Sequence, residues 1–298
     1  MVQEQFTSIA VDGEDIRVHF HEAGPVDGPP LIFMQTGGHG TSAGMCWYRN
    51  FDAFERSGYR VLAPDAPGFG QTEASSGRSV NALHFLAAFM DHVDIRRAHL
   101  IGNSMGSMTI TGFAIEQPDR VASAILTGGE PRADTPEAAA IVPELGKTPR
   151  LDFVREMLSQ PEVRTEHIRK ATADFFYDAD HPAVEEVAAM RLKTLQQPGM
   201  LERARADALQ QVARGRSNYG AEALARIQAP TYLIYGRDER HFFPAELAPA
   251  LIRAAAEVGF IIPNCRTTLL PHCGHWPQIE AAETFNALAL EFLRAYPI

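Results

Sequence analysis

Five consecutive residues carry the clearest chemical signal in the chain: Gly102-Asn103-Ser104-Met105-Gly106. They follow the apolar run His99-Leu100-Ile101 and open a helical pattern. A serine between two glycines at a strand-to-helix turn is a nucleophile presented on a tight, strained bend. Side chains at the flanking positions would collide with the strand and the helix. The hydroxyl of Ser104 is thereby lifted to a helix N-terminus, where the backbone dipole favours developing negative charge.

A serine hydroxyl is a weak nucleophile and needs a base, which in turn needs an orienting acid. Both are expected after later strands. The apolar run Thr231–Tyr235 ends in Gly236-Arg237-Asp238-Glu239, so Asp238 is the expected acid and Glu239 the neighbouring alternative. A later run ends in Pro271-His272-Cys273-Gly274-His275-Trp276; His275, before the last helix, is the expected base and His272 the competitor. Attack on a carbonyl creates an oxyanion that two backbone N–H groups can hold. Met105, directly after the nucleophile, should supply one, and Gly37 or Gly38 of the loop Thr36-Gly37-Gly38-His39-Gly40 the other. That loop lacks the Gly-Lys-Ser/Thr of a P-loop and the Gly-x-Gly-x-x-Gly spacing of dinucleotide sites. His272, Cys273 and His275 lack a second ligand group, so neither metal nor cofactor is expected.

Such residues need a scaffold that brings distant loops to one edge. Short apolar runs bounded by Gly and Pro (Ile16–His21, Leu31–Gln35, Arg60–Ala63, Ala98–Gly102, Val121–Thr127, Thr231–Tyr235, Arg266–Leu270) predict strands. Helical patterns alternate with them at Tyr48–Arg56, Ser79–His92, Met105–Gln117, Ala245–Val258 and Glu283–Arg294. This alternation predicts an α/β fold with a mostly parallel, doubly wound sheet. Between residues 130 and 220 the strand signal stops, and Ala, Glu, Arg and Gln recur at helical spacing between prolines. The expected organisation is a core from 1–129 and 221–298 with a helical lid, 130–220, inserted between strands over the carboxyl ends.

Composition narrows the partners. The 298 residues are 45% hydrophobic and 21% charged, enough for a sizeable core, and the net charge of −10 opposes nucleic acid and anionic membranes. No run reaches the length of a membrane span, and the start shows no basic-then-apolar leader. Three widely spaced cysteines, Cys46, Cys265 and Cys273, suit a reducing cytoplasm. The expectation is a cytoplasmic enzyme acting on a small molecule.

Across essentially its whole length the chain resembles the α/β-hydrolase superfamily, and in detail the meta-cleavage product hydrolases. These enzymes cut carbon–carbon bonds in dienoates formed by ring-opening of aromatic catechols. Four local features carry the resemblance: Gly-Asn-Ser-Met-Gly with Asn103; the loop Gln35–Gly40 followed by Trp47-Tyr48-Arg49-Asn50; the pair His275-Trp276; and Arg191 in Ala189-Met190-Arg191-Leu192-Lys193. The chain departs from the family pattern at Gln35, Thr36 and His39, which replace His, Gly and Pro. Cys46 replaces a substrate-contacting asparagine, and Ser107 a glycine. The resemblance implies a Ser104–His275–Asp238 triad and a substrate held by Arg191, Asn103, Trp276 and Cys46. It also implies a homo-oligomer. A carboxylesterase, an amide or carbamate hydrolase, or a slow-hydrolysing ligand receptor could share the triad, because lid and loop set what is cleaved.

Overall fold

The computed structural model describes residues 1–74, 80–128, 156–160, 162–204, 219–239 and 248–298. Eight strands form one sheet: β1 (Gln3–Val11), β2 (Glu14–Ala23), β3 (Pro30–Met34), β4 (Arg60–Pro64), β5 (Ala98–Asn103), β6 (Val121–Thr127), β7 (Thr231–Gly236) and β8 (Cys265–Leu270). Their order is β1-β2-β4-β3-β5-β6-β7-β8. β2 runs antiparallel to both β1 and β4, and all pairs from β4 to β8 are parallel. A parallel sheet aligns its carboxyl edges, so the loops after β3, β5, β7 and β8 emerge together.

The central strands are hydrophobic without alternation because both faces are covered. Leu31 and Phe33 of β3, Ile101 of β5, Ile125 of β6, and Tyr232 and Ile234 of β7 join one buried cluster. Their chain neighbours Ile32, Met34, Leu100, Ala124, Leu126 and Leu233 join the other. Helices α1 (Ala43–Trp47) and α2 (Phe51–Arg56) cover the first face, through Met45, Trp47, Phe51 and Phe54. Helices α3 (Ala82–His92) and α4 (Met105–Glu116) cover the second, through Phe85, Phe89, Ile110 and Phe113. The expected helix Tyr48–Arg56 starts later, as α2 at Phe51, and α1 is a further short helix before it, capped where Ser42 Oγ accepts from Met45 N at 3.1 Å. β1 has no counterpart among the expected strands; it is an edge strand whose exposed polar residues leave a weak pattern.

Between β6 and β7 the described elements are helices: α5 (Thr165–Ala173), α6 (Ala183–Leu195) and α7 (Ala221–Leu224). α5 and α6 share a small core that includes Ile168, Ala171, Ala188 and Leu195. Residues 130–155, 161 and 205–218 of the expected lid, and the starts of the expected helices Ser79–His92 and Ala245–Val258, lie outside the described residues. The chain closes with α8 (Ala248–Ile261), α9 (Pro277–Glu280) and α10 (Ala282–Ala295).

Candidate active site

Ser104 sits between β5 and α4 with φ +53° and ψ −111°. This is a strained backbone conformation for a residue with a side chain. It is held by its neighbours. Ser104 N donates to Thr127 O at 2.9 Å, Gly106 N donates to Gln35 O at 3.0 Å, and Met108 N donates to Ser104 O at 3.1 Å. The two glycines are required by contact. A Cβ on Gly102 would lie 2.5 Å from the Gly106 backbone, and a Cβ on Gly106 would lie 2.3 Å from Met34 O. Ser107 adds a brace beneath the turn, donating towards Gly102 O at 2.7 Å and Thr127 O at 2.9 Å, and accepting from Thr127 N at 3.0 Å.

The glycine loop after β3 reaches the same turn. A Cβ on Gly37 would meet the Met105 Cβ at 3.4 Å, and Gly38 has φ +117°, open only to glycine. Gly37 and Met105, separated by the whole of β4 and α3 in sequence, are therefore adjacent in space.

The base-and-acid pair differs from the expectation in one residue. His275 Nδ1 lies 2.6 Å from Glu239 Oε1, and both side chains are almost wholly buried. Asp238 does not make this contact. Its carboxylate faces outward and accepts from His272 N at 2.8 Å and from Arg237 at 3.4 Å, with the side chain 28% exposed. The cause is local. Asp238 N donates to Cys273 O at 3.1 Å, which pins the turn after β7 and sends residue 238 away from the site. The next side chain then points inward, and glutamate's extra methylene spans to the imidazole. His272, at φ +54°, belongs to the turn that Asp238 caps.

The loop carrying His275 is anchored on three sides. Asn103 Nδ2 donates to His275 O at 3.1 Å and to Thr127 O at 3.3 Å. His275 N donates to Phe175 O at 2.8 Å. Glu280, one turn on in α9, accepts from Gly274 N at 2.7 Å, from Tyr177 N at 2.9 Å and from Asp178 N at 3.2 Å. Burial pushes the Glu280 carboxyl above its ordinary value while these N–H groups pull it down. Asn103 is fully buried, and its Nδ2 is bonded to backbone, so it positions the His275 loop. Neither the Glu280 nor the Phe175 contribution is evident from sequence, because each depends on which distant loops meet.

Arg191 of α6 is 2% exposed. Its Nε and Nη2 donate to His39 O at 3.1 and 3.0 Å, and Nη1 donates to Thr172 Oγ1 at 2.8 Å. Its guanidinium lies 5.6 Å from the Phe175 ring centroid. That ring stacks on Trp276 at 4.0 Å and lies 5.4 Å from the His275 ring. Among the described residues no carboxylate lies within 4 Å of Arg191, and burial lowers its pKa to about 10. Trp276 is wholly buried behind Phe175. Cys46 is equally buried, its sulfur taking the Gln278 amide at 3.4 Å and its thiol pushed up to about 12 by burial. In this structure its side chain packs into the core from α1.

The chain matches the alpha/beta hydrolase fold family over residues 29–282. The chain is an alpha/beta hydrolase. The 2-hydroxy-6-oxononadienedioate/2-hydroxy-6-oxononatrienedioate hydrolase of Burkholderia vietnamiensis is 31% identical over 300 residues, covering 97% of this chain and 95% of that protein. The 2-hydroxy-6-oxo-6-phenylhexa-2,4-dienoate hydrolase of Comamonas testosteroni is 32% identical over 287 residues, covering 95% and 93%. Among solved structures, a meta-cleavage product hydrolase from Pseudomonas fluorescens superposes with a TM-score of 0.78 at 25% identity, covering 98% of both chains.

In this hydrolase the tight glycine contacts make a direct stability test. Gly106→Ala forces a methyl against the Met34 carbonyl and is expected to lower stability by about 1–3 kcal/mol, as overpacking does. Denaturant unfolding should show a lower midpoint with an unchanged slope. No helix among the described residues is long and apolar enough to cross a membrane.

Proposed function

We propose that this hydrolase cleaves a carbon–carbon bond in an anionic 2-hydroxy-6-oxo-dienoate, with Ser104 as nucleophile, His275 as base and Glu239 as the orienting acid. The observation that carries the choice of substrate is Arg191. Among the described residues no carboxylate forms an ion pair with this buried guanidinium, Asp174 acting on it only from farther off, and a substrate carboxylate adds a bidentate partner. Names of relatives more than 30% identical over nearly the whole chain point to the same substrate class.

With Nδ1 donating to Glu239, His275 keeps the Nε2 lone pair for proton transfer. The dienol is first converted to its keto form, His275 handling the proton. Ser104 Oγ then attacks the distal ketone as its proton passes to Nε2. The carbonyl oxygen becomes an oxyanion held by the N–H groups of Met105 and of Gly37 or Gly38. On collapse the carbon–carbon bond breaks, its electron pair is delocalised onto the 2-oxygen of the leaving fragment as a dienolate, and the proton held by imidazolium neutralises that oxygen to give the 2-hydroxydienoate. Water, deprotonated by His275, releases the acid from Ser104. The segment 130–220 acts as the lid, with α6 bringing Arg191 to the glycine loop. Three free cysteines support a reducing cytoplasm; the proposal also includes a homo-oligomer, as the family resemblance implies.

The test is Arg191→Gln, which keeps a donor for His39 O. Turnover of an anionic dienoate should fall about 100- to 1,000-fold, as expected for losing one side of a buried charge pair. Hydrolysis of a neutral p-nitrophenyl ester should change less than about threefold. Equal loss on both substrates would mean Arg191 only supports the glycine loop, and the anionic-substrate reading would fall.

A further inference from the structure

A second cluster of chemistry-bearing side chains lies on the antiparallel end of the sheet, where the proposed reaction has no use for it. β1 and β2 pair with Glu4 opposite His21 and Phe6 opposite His19. Glu4, His19 and His21 therefore project from one face of the ribbon. One ligand atom from each lies within 4.8 Å of the other two. His19 is 2% exposed and His21 half-buried, while the Glu4 side chain is 62% exposed.

His19 is already oriented as a ligand would be. Its Nδ1 lies 2.8 Å from Asp65 Oδ2, which fixes the ring and directs Nε2 across the face. There Nε2 stands 3.8 Å from Glu4 Oε2 and 3.4 Å from Gln71 Nε2. A carboxylate behind the far nitrogen is the arrangement that metal-bound histidines share, because it sets the tautomer and strengthens the donor. Asp65 is itself held, accepting from Ala43 N at 2.6 Å and Gln71 N at 2.9 Å.

We infer that Glu4, His19 and His21 form a binding site for a borderline divalent cation of the Zn²⁺ type. Two imidazoles and one carboxylate suit such an ion, with water completing a tetrahedron. Ligand bonds of about 2.0–2.2 Å place tetrahedral donors roughly 3.3–3.6 Å apart. Only modest closure from the present spacing is needed, and the exposed Glu4 side chain is free to swing inward. Two nearby carboxylates, Glu4 and Asp65, favour a cation over the empty cluster. The ion would fasten β1 to β2 and, through His19 and Asp65, to the loop after β4 and the start of α1. Its role would be structural, independent of the hydrolytic site. The sequence hides this set because Glu4 and the two histidines meet only through strand pairing.

Chelator-treated protein is titrated with Zn²⁺ by calorimetry and, separately, with Co²⁺ read by its visible absorption. The variants are Glu4→Gln and His21→Ala; His19 is kept, since its removal would strand the buried Asp65. Wild type should bind one Zn²⁺ per chain, show the intense band of tetrahedral Co²⁺, and gain a few degrees in Tm, as native-state ligands give. Each variant, folded by circular dichroism, should bind at least about tenfold more weakly and lose the band. Absence of saturable binding to wild type overturns the site, as does one-site binding that both variants retain unchanged.

Discussion

Glu239→Gln lowers kcat/KM by about 1,000- to 10,000-fold, whereas Asp238→Asn changes it less than about threefold. The first magnitude is that of removing the charge behind a catalytic imidazole, which leaves geometry nearly intact but stabilises the wrong tautomer. A glutamine amide can donate to Nδ1 and hand the proton to Nε2, the atom that must accept from Ser104. The second follows from position: Asp238 is partly exposed, bonds His272 N and points away from His275. Asparagine keeps an acceptor there. Steady-state kinetics on both variants decide the matter, and a larger loss in Asp238→Asn would return the acid's role to residue 238.

Ser104→Ala abolishes turnover, with a fall of about 10⁴-fold or more, the scale for losing a nucleophile that acts together with its base. Binding should persist, because Arg191 is untouched. Mixing the variant with a coloured dienoate in a stopped-flow instrument should give a spectral shift on binding without decay. Turnover near the wild-type rate would show that Ser104 is not the nucleophile. Because alanine carries the same Cβ as serine, the strain of the turn is unchanged, and unchanged thermal unfolding should accompany the kinetic loss.

Much of this was legible in the residues because strong local chemistry forces it. Gly102 and Gly106 stand where side chains would strike backbone, so the turn and its serine announce themselves. His275 stands out because it follows a strand and precedes the closing helix. The choice between Asp238 and Glu239 could not be read, since it depends on a single hydrogen bond from Asp238 N to Cys273 O made across two loops. The resemblance implies substrate contacts for Asn103 and Cys46, but their burial, the one bonded to the backbone of the His275 loop and the other packed in the core, depends on loops and helices that meet only in the fold. β1 was hidden by its half-polar edge character, and the Glu4, His19 and His21 cluster with it.

The most direct test of the central reading is wild-type kcat/KM for 2-hydroxy-6-oxo-6-phenylhexa-2,4-dienoate beside p-nitrophenyl esters, with products identified by mass spectrometry. The expected products are benzoate and a five-carbon hydroxydienoate, released at a rate at least about 100-fold above the esters, a specificity that buried polar recognition can supply. Efficient ester hydrolysis with the dienoate left intact would contradict this reading.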